Sequence, residues 1–205
     1  MDLGTSTTDG SSSYIAGVSA NDKANQTFSS CENHGDIAVT APHKMRLAGI
    51  ASYTNQTTNN CIAECSITAN LCQKDYSEVG GIIGYTAATG FTGCSFSGTL
   101  DTSASGSKVY TGGILGKSNG NQSFNGCSVS GALAAKVNAP GLYIGGLQAD
   151  GKAITFGATT KCTVRAGTTL NGVAVASLNN DNLVSQSSND GTYSSTSTLT
   201  NIVIE

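Results

Sequence analysis

A Gly-Gly-Ile segment recurs in this chain at a nearly fixed step, and that period constrains the fold more than any other property of the sequence. The glycine before each aliphatic residue falls at Gly17, Gly49, Gly81, Gly113 and Gly146, in steps of 32, 32, 32 and 33 residues. A degraded sixth copy stands around residues 173–177. Cys31, Cys65, Cys94, Cys127 and Cys162 follow their anchors by 14, 16, 13, 14 and 16 residues. Periods of about 20–50 residues belong to solenoids and arrays, whose copies bury their apolar faces only against their neighbours.

Read down the copies, the residue after the anchor is Val18, Ile50, Ile82, Ile114 or Leu147. After the cysteine a period-two pattern follows. Two residues on stand Asn33, Ile67, Phe96, Val129 and Val164, and four on stand Gly35, Ala69, Gly98, Gly131 and Ala166. Six on stand Ile37, Leu71, Leu100 and Leu133, with Thr168 breaking the column. Residues i, i+2 and i+4 line one face of a strand, so this is an inward face, and the Ser, Thr and Glu between them face out. No stretch carries helical periodicity. Each copy has two clear strands and room for a third, fewer than a four-stranded propeller blade. The columns predict an all-β parallel β-helix, or β-solenoid, of five to six coils of about 32 residues. Equivalent residues would stack roughly 4.8 Å apart. Residues 14–178 are assigned to the repeat domain, residues 1–13 to an N-terminal extension or cap, and the Ser/Thr-rich residues 179–205 to a C-terminal cap or linker. A solenoid's last open edge needs such cover.

The recurring cysteines are read as a ladder of buried, reduced thiols, because free Cys packs as a small hydrophobe and an in-register stack suits disulfide geometry poorly. Cys61 and Cys72 flank Cys65 off that ladder, as turn-lining thiols or as a local clip; with 7 cysteines, at least one is unpaired in a monomer. There is no Cys-x-x-Cys pair to hold a metal, and no cofactor is expected.

Charge excludes some partners. The chain carries 10 basic and 13 acidic residues, a net charge of -3, without a Lys/Arg cluster, which argues against nucleic acid. No apolar run is long enough to span a membrane as a helix. Aspartates at fixed offsets, as calcium-binding repeats require, are missing, as is a strict Thr column of the kind a flat ice-binding face would need. A polysaccharide-active β-helix enzyme would need converging carboxylates; the nearest candidates are Glu64, Asp75 and Glu78. His34 and His43 flank the first turn without a cysteine partner in a motif.

Two outward rows hold the large side chains. Three residues before the anchor stand Tyr14, Arg46, Glu78, Tyr110 and Tyr143; four after it stand Asn21, Tyr53, Tyr85, Lys117 and Asp150. Tyrosine suits stacking on a sugar or protein while keeping a polar tip wet. The plainer alternative is that these rings cover strand corners.

Gly80-Gly81-Ile82-Ile83-Gly84 with Cys94 and Gly98, and Gly112-Gly113-Ile114-Leu115-Gly116 with Cys127 and Gly131, resemble the glycine-rich repeats called GLUG-type motifs. Gly145-Gly146-Leu147 with Cys162 is a looser copy, and Ala16-Gly17-Val18 and Ala48-Gly49-Ile50 keep the register with one glycine fewer. The resemblance spans residues 14–170 and points to adhesin-like bacterial surface proteins of the Bacteroides type. It implies right-handed winding and a cell-surface or extracellular location, within a larger or surface-anchored chain. The expected function is a non-enzymatic adhesin-like module that binds a glycan or a host or matrix protein through loops or the face bearing Tyr14, Tyr53, Tyr85, Tyr110 and Tyr143. A structural spacer, or less favourably a polysaccharide-active enzyme, is the alternative.

Overall fold

The computed structural model describes residues 13–21, 27–41, 44–71, 76–88, 90–104, 108–137, 142–149, 153–183, 186–187 and 199–205. It is an all-β, mostly parallel β-solenoid of about four turns. One complete turn comprises the strands Ser77–Gly80, Ile83–Thr86, Phe91–Thr92 and Ser95–Ala104. The turn before it repeats them as Met45–Ala48, Ala51–Thr54, Thr58–Asn59 and Ile62–Leu71. The turn after it does so as Val109–Gly112, Leu115–Ser118, Gln122–Asn125 and Ser128–Val137. Four sheets result, one for each strand position, and in each the neighbours along the axis pair parallel.

The anchor glycine marks the sharp bend between the first and second sheets. A Cβ on Gly81 would collide with the carbonyl oxygen of Gly113 one turn on and with the ring of Phe96 from the fourth sheet. Gly49 and Gly113 stand in the same position, under the next anchor's carbonyl and against Ala63 and Val129 respectively. Close approach explains why glycine recurs there. The apolar residue that follows is driven inward in the later copies, so Ile50, Ile82, Ile114 and Leu147 are fully buried, whereas Val18 of the first copy is exposed. Their N–H groups bond along the stack, Ile50 to the Ile82 carbonyl and Ile82 to the Ile114 carbonyl, each at 3.1 Å. Burying each such side chain stabilises the fold by about 1.5–3 kcal/mol. In the third sheet Phe28, Thr58, Phe91, Phe124 and Phe156 share one row, with Phe91 and Phe124 stacked at 5.1 Å.

The fourth sheet corrects the expected register. Ala63, Phe96, Val129 and Val164 share one inward row, and Ile37, Ile67, Leu100, Leu133 and Leu170 the next. Ile67 therefore belongs with the aliphatic residues and not with Phe96, and Leu71 pairs with Ala104. Ala69 pairs with Thr102, while Cys65 takes the place beside Gly98. The degraded copy at residues 173–177 opens no further turn. Asn171 and Gly172 both adopt positive φ, 50° and 79°, and the Asn-Gly pair turns Val173–Ala174 back antiparallel onto Thr169–Leu170.

At the C-terminal end, Gly146 and Leu147 donate to the carbonyls of Asn182 and Leu183 at 2.7 and 3.0 Å, from the short helix Asn180–Leu183. Gln186–Ser187 pairs antiparallel with Leu142–Gly145, and Ile202–Ile204 pairs parallel with Cys162–Val164.

Candidate ligand-binding face

The bend at the anchor brings together two rows that are seven residues apart in sequence. In the first sheet Tyr14, Arg46, Glu78, Tyr110 and Tyr143 are in register. In the second, Tyr53, Tyr85 and Lys117 are in register. The chain reverses between the two strands, so the rows interleave into one cluster. Tyr53 stacks on Tyr85 at 5.6 Å and meets the edge of Tyr14 at 6.4 Å. The Arg46 guanidinium lies over Tyr85, Tyr53 and Tyr14 at 4.1, 5.2 and 5.5 Å, and its Nη1 donates to the Tyr14 hydroxyl at 3.3 Å. Cations are attracted to ring faces within about 6 Å, by roughly 0.5–2 kcal/mol each. The side chain of Tyr143 and the whole of Asp150 lie outside the described residues.

A third row joins the cluster, and the two expected rows did not include it. Tyr76 sits edge-on to Tyr110 at 6.1 Å. The Lys44 ammonium lies 3.6 Å from the centroid of the Tyr76 ring, and that of Lys117 lies 4.4 Å from both Tyr76 and Tyr110. Lys44 and Tyr76 each stand five residues before an anchor glycine. Extending the outward alternation by one more step would have found them.

Glu78 is the charge at the centre. Its side chain is fully buried, and its Oε2 accepts from Arg46 Nε at 3.3 Å. Oε1 has no hydrogen-bond partner. Burial holds its pKa above the ordinary carboxylate range, against the pull of Arg46, Lys44 and Lys117. The cluster thus divides in two. Tyr85 and Tyr110, 8% and 6% exposed, line its floor with Glu78. Tyr14, Tyr53, Tyr76, Lys44 and Lys117 are half-buried and form its rim.

The thiol row is also placed differently from expectation. Backbone pairing stacks Cys31, Cys61, Cys94, Cys127 and Cys162: the residue after each of the last four donates to the carbonyl of the preceding cysteine in the stack, at 2.8–2.9 Å. Cys61 takes the place assigned to Cys65. The reason lies one residue earlier, where Ser30, Asn60, Gly93 and Gly126 adopt φ of 53°, 51°, 62° and 62°. Asn and Gly tolerate that left-handed turn, whereas the Glu64 before Cys65 is poorly suited to it. Six described cysteines carry free thiols, Cys31 half-buried and the other five buried. The neighbouring Cys94 thiol, together with burial, raises the Cys61 pKa, and the Cys61 thiol donates to the Asn59 carbonyl at 3.4 Å. Cys72, the other half of a possible clip, lies outside the described residues.

Of the acids named for an enzymatic alternative, the two described ones, Glu64 and Glu78, are not brought together. Glu64 projects outward from the fourth sheet and contacts His34 at 3.2 Å, whose other ring nitrogen meets Glu32 at 3.1 Å. Glu78 belongs to the first sheet. Asp75 and His43 lie outside the described residues. Among the described residues no group of three or more His, Cys, Asp or Glu is arranged to hold a metal ion, and no helix is long and apolar enough to cross a membrane. No family model, no curated protein and no solved structure matches the chain.

Proposed function

We propose that the chain is a non-enzymatic, adhesin-like binding module of a cell-surface or extracellular protein with GLUG-type repeats. Its right-handed coils would present a glycan or a host or matrix protein to the tyrosine-bearing face. The observation that carries this reading is the convergence of three separate rows into one patch of five described tyrosines and three cations. Aromatic rings with polar tips beside cations are the groups that anchor ligands at little entropic cost. The separation of Glu64 from Glu78 on different sheets favours binding over hydrolysis. A spacer role is the second reading, supported by the burial of Tyr85 and Tyr110 and the internal pairing of Arg46 with Glu78.

The test is a glycan and matrix-protein binding screen with the wild type and a Tyr14→Ala/Tyr53→Ala variant, which removes rim rings and leaves the floor intact. Loss of the two rings should weaken binding by at least tenfold, about 1.4 kcal/mol. Absence of any ligand for the wild type would leave the spacer reading in its place, and equal binding by the variant would move the site from this face to the loops.

A further inference from the structure

We infer that the ligand of this face is an acidic saccharide, with a carboxylate or sulfate held by Lys44 and Lys117 and a sugar ring lying against Tyr14 and Tyr53. This rests on the binding reading above and adds the sign of the ligand's charge and the residues that select it. Lys44, Arg46 and Lys117 converge on the cluster, although the chain as a whole has a net charge of -3. Among the described residues Glu78 is the one carboxylate within the cluster, and it is committed to Arg46 at 3.3 Å. Lys44 and Lys117 are left sharing the Tyr76 ring, with no carboxylate within 4.0 Å among the described residues.

Half-burying two ammonium groups is unfavourable unless something negative faces them, and the one described carboxylate that attracts both, Glu78, is already paired with Arg46 and carries a single charge against three cations. The ring of Tyr76 offsets that in part, and an incoming anion would offset the rest. The rows also set a length. Tyr14 and Tyr110 are three turns apart along the stack, roughly 14 Å at the strand spacing, which suits a short oligosaccharide better than a single small anion. Sugar rings present C–H faces to tyrosine and acid groups at their edges, and that pairing matches the Tyr14 and Tyr53 rings beside the two ammonium groups gathered over Tyr76.

The experiment measures binding of the whole chain to defined oligosaccharides: an oligogalacturonate, its fully methyl-esterified form, a sulfated chondroitin oligosaccharide, and neutral cello- and malto-oligosaccharides. A poly-glutamate peptide serves as an acidic non-sugar. At least one acidic sugar should bind with Kd below ~1 mM, and its affinity should fall as salt rises from ~0.05 to ~0.3 M. If the oligogalacturonate binds, its ester should bind about tenfold more weakly. Binding of the sulfated member alone would identify sulfate as the recognised group. A Lys44→Gln/Lys117→Gln variant, with circular dichroism unchanged, should lose about tenfold on the acidic member and keep its thermal midpoint. Neutral sugars binding as well as acidic ones, with binding lost in Tyr14→Ala/Tyr53→Ala, would overturn the charge assignment and leave the binding face standing. Failure of every acidic sugar, or poly-glutamate binding as tightly as the sugars, would overturn it as well.

Discussion

Replacing Gly81 by alanine adds a single methyl group at a tightly confined point of the stack. Gly81 carries no positive φ, so its importance lies in space and not in backbone conformation. The new Cβ would press on the Gly113 carbonyl oxygen and on the Phe96 ring. Phe96 is 1% exposed and in register with Ala63 and Val129, so it has nowhere to swing. Relief requires the turns to separate. That weakens the bonds from Gly81 N–H to the Gly112 carbonyl and from Ile82 N–H to the Ile114 carbonyl, each 3.1 Å. Overpacking costs about 1–3 kcal/mol, and two strained hydrogen bonds add about 0.5–1.5 kcal/mol each. The expected loss is roughly 2–6 kcal/mol, read as a lowered urea midpoint. Gly120→Ala is the matched control: nothing lies within 4 Å of its added Cβ, so the change should be neutral or stabilise by about 0.4–1 kcal/mol through the unfolded chain. A Gly81→Ala protein within ~1 kcal/mol of wild type would refute the close-approach account of the repeat's defining glycine.

Arg46→Met should be more damaging than Glu78→Gln at neutral pH, because it strands a fully buried carboxylate; removing one partner of such a pair costs about 3–5 kcal/mol. The double variant should recover much of that loss, and equal destabilisation by the two single changes would contradict the assignment. A carboxyl whose pKa is raised on folding holds its proton more tightly in the folded state. Stability from Glu78 is therefore greatest below its ordinary pKa of 4.5 and falls as pH rises through the raised folded value. Melting temperatures followed upward from pH 4 should show this decline in the wild type and a flatter profile in Glu78→Gln; the same slope in both would exclude Glu78 as its source.

The amino-acid sequence by itself determined the repeat, its strands and its inward face. The 32-residue step, the anchor glycines and the period-two alternation after each cysteine leave a stacked parallel sheet as the natural solution, because side chains one turn apart must match in volume. It did not determine which cysteine of the second full copy joins the stack. Cys61 and Cys65 differ by an even number of residues, so either register points the same alternate side chains inward. Only the left-handed turn at Asn60, together with the hydrogen bonds from Ile62 to Cys31 and from Ser95 to Cys61 at 2.9 Å, selects Cys61. Nor did it show that the two tyrosine rows are one surface. A linear pattern places residues on faces but carries no angle between successive strands. The sharp reversal at the anchor glycine supplies that angle, sets Arg46 over Tyr85 and buries Glu78 beneath them. It also leaves Glu64 outward on a different sheet beside His34.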